Sequence, residues 1–217
     1  MSRPFQPRRN APLDASRCAI LIIDVQDGIF NAAAETERPY FHRTARDTVI
    51  PNIARLIRAG RAAEAEIVYT VIESLTADGR DRSIDYKETG FHFPRGSAQA
   101  KVVAALAPAD DDIVLPKTSS SLFNSTVFEY AMRNMGVDTI VVTGFLTDQC
   151  VDHTIRDGAD RGFAMVCPQD ACTTDTQGRH DAAIFAFKGY CRLTTTQDLV
   201  AELGGSSPLG SASSDAS

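Results

Sequence analysis

No apolar run in this sequence approaches the ~20 residues that a membrane-crossing helix requires, so no membrane partner is expected. Positive charge is also scarce: 22 Lys and Arg stand against 28 Asp and Glu, for a formal net charge of -6. That balance argues against nucleic acid or an anionic membrane surface as a partner. The opening stretch MSRPFQPRRNAPLDAS carries charge but no apolar segment, so it is not read as a secretory signal. Its prolines oppose the amphipathic helix of an organelle-targeting peptide. The five cysteines, Cys18, Cys150, Cys167, Cys172 and Cys191, are odd in number and include no C-x-x-C pair. Both a disulfide framework and a zinc site are weakened by that pattern, and a reducing cytoplasm is the expected location. The four histidines are not paired at ligand spacing, so no metal and no other cofactor is expected. No G-x-G-x-x-G follows the first strand-like run, where IIDVQDGIF stands instead, which leaves a dinucleotide-binding module without support. No internal repeat is present.

What the chain does have is regular alternation. CAILIID (18–24) and EIVYTVI (66–72) are continuous apolar runs of the kind buried on both faces of a sheet. Between them, VIPNIARLIRAGRAAEA places Ile50, Ile53 and Ile57 at helical spacing, with Pro51 tolerable in a first turn. A long polar segment, ESLTADGRDRSIDYKETGFHFPRGS, follows and is read as a functional loop because of its length. SAQAKVVAAL predicts a short helix and DIVLPK a third strand. NSTVFEYAMRNMG predicts a helix capped by Asn124 or Ser125 and ended at Gly136. DTIVVTG, FAMVCP and CRLTT predict three further strands, with helices over QCVDHTIRDGADRG and RHDAAIFAFKGY between them. This order predicts a three-layer α/β/α domain with a six-stranded, mostly parallel, Rossmann-like sheet. The domain is expected over residues 17–203, between a flexible N-terminal arm (1–16) and a disordered Gly/Ser-rich tail (204–217).

Ligands of such sheets bind beyond the carboxyl ends of the strands, so the last residue of each strand carries information. Asp24 ends the first, Lys117 the third, and the fourth runs through Gly144 toward Cys150. Each alone has an ordinary explanation: a turn-forming aspartate, a solvated lysine, a small buried cysteine. Together they make a coherent chemistry. A helix N-terminus and a nearby cation lower a thiol's pKa, and a carboxylate can take its proton and return it to a leaving amine. The lysine offsets the negative charge, and the turn before Cys150 can aim backbone N–H groups at a bound carbonyl. His153, three residues beyond the cysteine on a helix, should point away from the opening. His180 is expected to cap a helix or face solvent.

The blocks AILIIDVQDGIF, LPKTSSSLFNST and VVTGFLTDQCVDHTIRDGADRGF resemble, in order, the three signature blocks of the isochorismatase-like superfamily, specifically its cysteine hydrolases. The resemblance runs from about Cys18 to Thr196. It implies the isochorismatase-like hydrolase fold and a catalytic triad of Asp24, Lys117 and Cys150. It also implies a cis peptide bond between Phe145 and Leu146, and an oxyanion hole formed by the backbone N–H groups of Leu146 and Cys150. The vinyl-ether-cleaving isochorismatases lack the nucleophilic cysteine, and the nicotinamidases carry a metal site for which VIESLTADGR offers no histidine. The branch most similar is the metal-free amidohydrolases acting on amide, carbamoyl or ureido groups, such as ureidoacrylate, biuret and N-carbamoylsarcosine. A small-molecule amide or ureido substrate is therefore expected, handled by a homo-oligomer (dimer or tetramer). Gln26, Phe30, Glu73, Arg80 and Phe123 are candidate substrate contacts, with Arg80 suited to pairing a substrate carboxylate. Isochorismatase-type or nicotinamidase-like activity, and a non-catalytic scaffold on the same fold, remain alternatives.

Overall fold

The computed structural model describes residues 9–205. Among them, seven parallel strands form one sheet: β1 (Cys18–Ile23), β2 (Glu66–Ile72), β3 (Ile113–Lys117), β4 (Thr139–Phe145), β5 (Ala164–Pro168), β6 (Cys172–Thr173) and β7 (Cys191–Thr194). Their order is β3-β2-β1-β4-β5-β7, with the two-residue β6 paired to the end of β4. β6 is the one strand beyond the six expected; it is too short for a periodic signal. The chain winds outward from β1 through β2 to β3, then returns to the other side of β1 as β4. The order therefore reverses between β1 and β4, where an open α/β sheet forms its ligand crevice.

Among the described residues, eight α-helices cover the sheet: α1 (Ala32–Glu37), α2 (Pro39–Thr44), α3 (Ile50–Ala62), α4 (Ile84–Glu88), α5 (Phe128–Asn134), α6 (Asp152–Asp160), α7 (Gln177–Phe187) and α8 (Thr196–Leu203). Alternating β1 side chains go to opposite faces, as strand geometry demands. Ile20 and Ile22 pack in one core with Phe41, Ile53, Leu56 and Leu199. Ala19, Leu21 and Ile23 pack in the other with Phe128, Met132, Ile155 and Phe187. Every β1 residue is buried, which is why the run reads as continuously apolar.

Several local expectations are corrected. SAQAKVVAAL is not a helix but two single 3-10 turns, Ala98–Ala100 and Ala104–Leu106, because Val102 between them bridges to Gln26 and Val103 donates to the Val25 carbonyl. α5 begins only at Phe128, so neither Asn124 nor Ser125 caps it; those residues lie in and after a 3-10 turn at Leu122–Asn124. α7 begins two residues early, with Thr176 accepting from the Arg179 amide. The described part of the N-terminal arm is tied down: Leu13 donates to Glu202 (2.6 Å), and Arg192 reaches the Ala11 carbonyl (3.3 Å). Residues 1–8 of that arm, and the tail beyond residue 205, lie outside the described residues.

Gly158 and Gly144 sit where neighbouring elements approach closely. In α6, a Cβ on Gly158 would come within 2.5 Å of the Met165 sulfur, so the helix-weakening residue is what lets α6 lie against β5. At the end of β4, Gly144 has φ +108°, and a Cβ there would meet the Ile23 carbonyl oxygen at 2.2 Å. Backbone cannot yield as a flexible side chain can. Gly144→Ala is expected to destabilise the fold by about 3 kcal/mol or more, lowering Tm by roughly 6–12 °C in a domain of this size, as thermal unfolding followed by circular dichroism would read.

Candidate active site

Three strand ends deliver three side chains to one place. Asp24, immediately after β1, adopts left-handed backbone with φ +55°, which aspartate tolerates better than most residues. Its amide donates to the Thr70 carbonyl (3.1 Å), and its Oδ1 accepts from the Thr70 hydroxyl (2.8 Å). β2 thus fixes the carboxylate. Lys117 closes β3, in register with Ile72, and its Nζ lies 2.8 Å from Asp24 Oδ2 and 3.3 Å from Cys150 Sγ. Cys150 sits in a wide turn, Thr147–Val151, between β4 and α6. All three side chains are buried. The Phe145–Leu146 bond is cis, as the family resemblance implies.

Lys117 also donates to the Tyr86 hydroxyl (2.6 Å) and to the Ser119 carbonyl (3.0 Å). The three N–H groups thus go to Tyr86, Ser119 and Cys150, and Asp24 Oδ2 meets the ammonium as an ion pair. Burial alone would favour the neutral amine, but the charge of Asp24, followed by that of Cys150, outweighs it and holds the lysine pKa well above its ordinary value. For the thiol the balance differs. Burial pushes Cys150 up to about 11; Lys117 pulls it down, but the Asp24 charge opposes that pull. The expectation of a lowered thiol pKa is corrected accordingly: desolvation outweighs the nearby cation.

The remaining sequence candidates scatter. Gln26 is buried, and its carboxamide is committed to backbone, donating to the Ile72 (3.1 Å) and Gln99 (2.9 Å) carbonyls and accepting from the Ile72 amide (2.6 Å). It straps β2 to the following loop instead of facing a ligand. Glu73 is likewise engaged, accepting from the Gly96 amide (2.7 Å). Arg80 pairs with Asp78 (3.0 Å) with its side chain 72% exposed, and it is not part of the cavity that Asp24 and Cys150 line. Phe30 stacks on His42 (4.8 Å between centroids), and Phe123 packs in the core against Phe128 and Phe163. Leu146 does line the site. His153 turns back to the Gln149 carbonyl (2.9 Å). His180 does not cap a helix; half-buried, it is hydrogen-bonded to the Thr147 hydroxyl (2.9 Å), and burial lowers its pKa.

Sequence reasoning missed three residues. Thr70 holds the aspartate. Tyr86, within the long polar segment read as a functional loop, reaches Cys150 Sγ at 3.4 Å. Arg38, between α1 and α2, lines a small cavity of about 20 Å³ with Asp24, Phe91, Leu146, Gln149 and Cys150. Its guanidinium pairs with Asp175 (2.5 Å) and lies 4.1 Å from the Phe41 ring centre. A signal for Tyr86 was available: an aromatic residue beside a polar hinge in a loop long enough to fold over the strand ends.

Known proteins share this arrangement of elements. The model of the isochorismatase domain matches residues 18–198. An N-carbamoylsarcosine amidase from an Arthrobacter species is 29% identical over 163 residues, which cover 71% of this chain and 59% of that relative. The chain thus spans less than two thirds of that protein's length. The ureidoacrylate amidohydrolase RutB of Methylorubrum extorquens is 29% identical, with 76% of this chain and 74% of the relative covered. The crystal structure of a cysteine hydrolase from Pseudomonas syringae pv. phaseolicola superimposes with a TM-score of 0.81 at 25% identity, covering 95% of this chain and all of that one.

Because burial raises the thiol pKa, ionisation requires pH to climb toward about 11. Iodoacetamide labelling of Cys150 in the substrate-free protein, read by peptide mass spectrometry, is expected to keep accelerating above pH 9. A plateau reached below that pH would contradict this account of the site.

Proposed function

The chain belongs to the isochorismatase domain family, and from that premise we propose that it is a cysteine amidohydrolase acting on a small carbamoyl or ureido substrate. The observation that carries the proposal is the contact of one buried ammonium with both a carboxylate (2.8 Å) and a thiol (3.3 Å) at the crevice between β1 and β4. In the first step Asp24 takes the Cys150 proton. Negative charge moves from oxygen to sulfur, and both positions touch the same ammonium, so the transfer separates little charge. The raised thiol pKa supports this order of events: the thiolate forms when needed instead of standing ready.

The thiolate attacks the carbonyl carbon. As the C–S bond forms, the carbonyl electron pair moves to oxygen, where the Leu146 and Cys150 N–H groups are the donors we assign. Collapse of this intermediate breaks the C–N bond, and the proton held by Asp24 passes to the departing nitrogen. Water, deprotonated by Asp24, then attacks the thioester and releases the thiol. Lys117 balances each of these negative charges without leaving its place.

Arg38 supports a substrate that also bears a carboxylate. It is the arginine of the cavity wall, taking the role the sequence gave to Arg80. Its Nε and one terminal nitrogen are held by a single Asp175 oxygen, which leaves other guanidinium N–H groups for a ligand. The relatives named for N-carbamoylsarcosine and ureidoacrylate point to the same class of substrate.

Ammonia release from a panel of ureido acids and neutral amides tests both parts. Cys150→Ala is expected to lower kcat by roughly three orders of magnitude or more while retaining the wild-type circular dichroism spectrum. Wild-type-like release by that variant refutes the thioester route. Arg38→Gln should raise KM for carboxylate-bearing substrates roughly ten- to a hundredfold, with a smaller effect on neutral amides.

A further inference from the structure

We propose that Tyr86 is a further catalytic residue, a hydrogen-bond donor that the loop between β2 and β3 delivers to the Cys150 thiolate. The proposal rests on the thioester route above and adds a group to it.

Tyr86 is buried, and its hydroxyl touches both the Lys117 ammonium and the Cys150 sulfur. The oxygen accepts from Lys117 Nζ at 2.6 Å and lies 3.4 Å from Cys150 Sγ. An oxygen that accepts from an ammonium keeps its own O–H to give, and within contact distance the sulfur is the acceptor for it. While the thiol is protonated, either atom can donate. Once Asp24 has taken the proton, sulfur holds none and only the tyrosine can. Burial raises the phenol pKa well above its ordinary value, so this hydroxyl remains a donor across the pH range in which the thiol ionises. No proton leaves Tyr86 at any step; it stabilises sulfur charge as that charge forms and releases it as the C–S bond consumes the lone pair.

The loop is built to place that hydroxyl. Ser83 accepts from the Tyr86 amide (3.2 Å) and donates its own amide to the Thr118 carbonyl (2.9 Å), one residue beyond Lys117. Arg82 donates to the carbonyls of Tyr86 (3.2 Å) and Phe91 (2.9 Å), and the Phe91 ring rests 5.4 Å from the tyrosine ring. Phe91 also lines the cavity. One segment therefore supplies both an apolar wall and a polar group, and its position decides whether the thiolate has its second donor.

The groups facing the sulfur are Lys117 and Tyr86 as hydrogen-bonding partners, Asp24 as the opposing charge, and Arg38 across the cavity. Removing the tyrosine hydroxyl while the other three stay should raise the pH at which Cys150 ionises. With iodoacetamide as probe and peptide mass spectrometry as readout, Tyr86→Phe is expected to slow Cys150 alkylation at fixed pH roughly tenfold, through a shifted pH profile. A ring-fluorinated tyrosine at position 86 keeps the packing, donates more strongly, and should shift the profile to lower pH. Ile84→Ser, on the exposed side of the same short helix, should leave the profile unchanged. If both substitutions at position 86 retain the wild-type profile, the proposal is overturned. Because labelling needs no substrate, this outcome is independent of whether Cys150→Ala abolishes ammonia release.

Discussion

The site depends on a single buried cation. The Lys117 ammonium is fully enclosed, and taking such a group out of water costs several kcal/mol even after relaxation. One carboxylate at 2.8 Å returns about 4–6 kcal/mol at an effective dielectric near 20, which roughly offsets that cost but leaves the desolvation of Asp24 itself uncovered. Oriented hydrogen bonds from Lys117 to Tyr86 and Ser119 close the gap. Asp24 in turn needs Thr70, and Tyr86 needs Arg82 and Ser83. Satisfying one ammonium thus recruits β1, β2, β3, the loop above them and the turn after β4. β3 is an edge strand with its middle partly exposed, so the loop between β2 and β3 is what buries its last residue.

The same cation explains why a thiol with a raised pKa is compatible with nucleophilic chemistry. Were Cys150 a standing thiolate, Asp24 would face a second negative charge inside one small cavity. With the thiol protonated, the site holds one carboxylate and one ammonium and is neutral. On the proposed route, proton transfer moves the negative charge to sulfur and preserves that neutrality, and the cost of burial is met where the ammonium and its neighbours already stand in place.

Much of this was legible in the sequence, for identifiable reasons. Buried parallel strands must be continuously apolar, so CAILIID and EIVYTVI announced themselves, and the rule of the carboxyl ends singled out Asp24, Lys117 and the turn at Cys150. The parts that were not legible are those in which a side chain works on distant backbone. Gln26 and Glu73 look like ligand-facing residues until their partners, Ile72, Gln99 and Gly96, are known. α1 and α2 escaped because AAAETERPYFHRTARD has little apolar periodicity and a proline in its middle. They carry Arg38 between them, so the missed helices and the missed cavity residue have one cause. Tyr86 escaped because five residues of helix within a long polar loop leave no periodic trace.

Arg38 and Cys150, far apart in sequence, are joined by more than a shared cavity. Asp175 accepts from Arg38 through one oxygen and from Arg179 through the other (2.6 Å). Arg179 continues to Asp148 (2.5 Å), which also accepts from the Thr174 hydroxyl (2.6 Å). Asp148 lies in the same turn as Cys150, and the next contact of that turn, Thr147 to His180, lands on the same helix as Arg179. The first turns of α7 therefore hold the turn that carries Cys150 at two points and the cavity arginine at a third. Alternating charges along the chain from Arg38 to Asp148 sum to zero, so this ladder adds little field at the thiol and acts through position. Its members are only partly buried, where an isolated ion pair contributes about 1 kcal/mol or less; the consequence is geometric, in that the spacing between the Cys150 sulfur and the guanidinium is set by one helix end. On the proposed route, a substrate whose carbonyl meets Cys150 while its carboxylate meets Arg38 is measured against that fixed spacing.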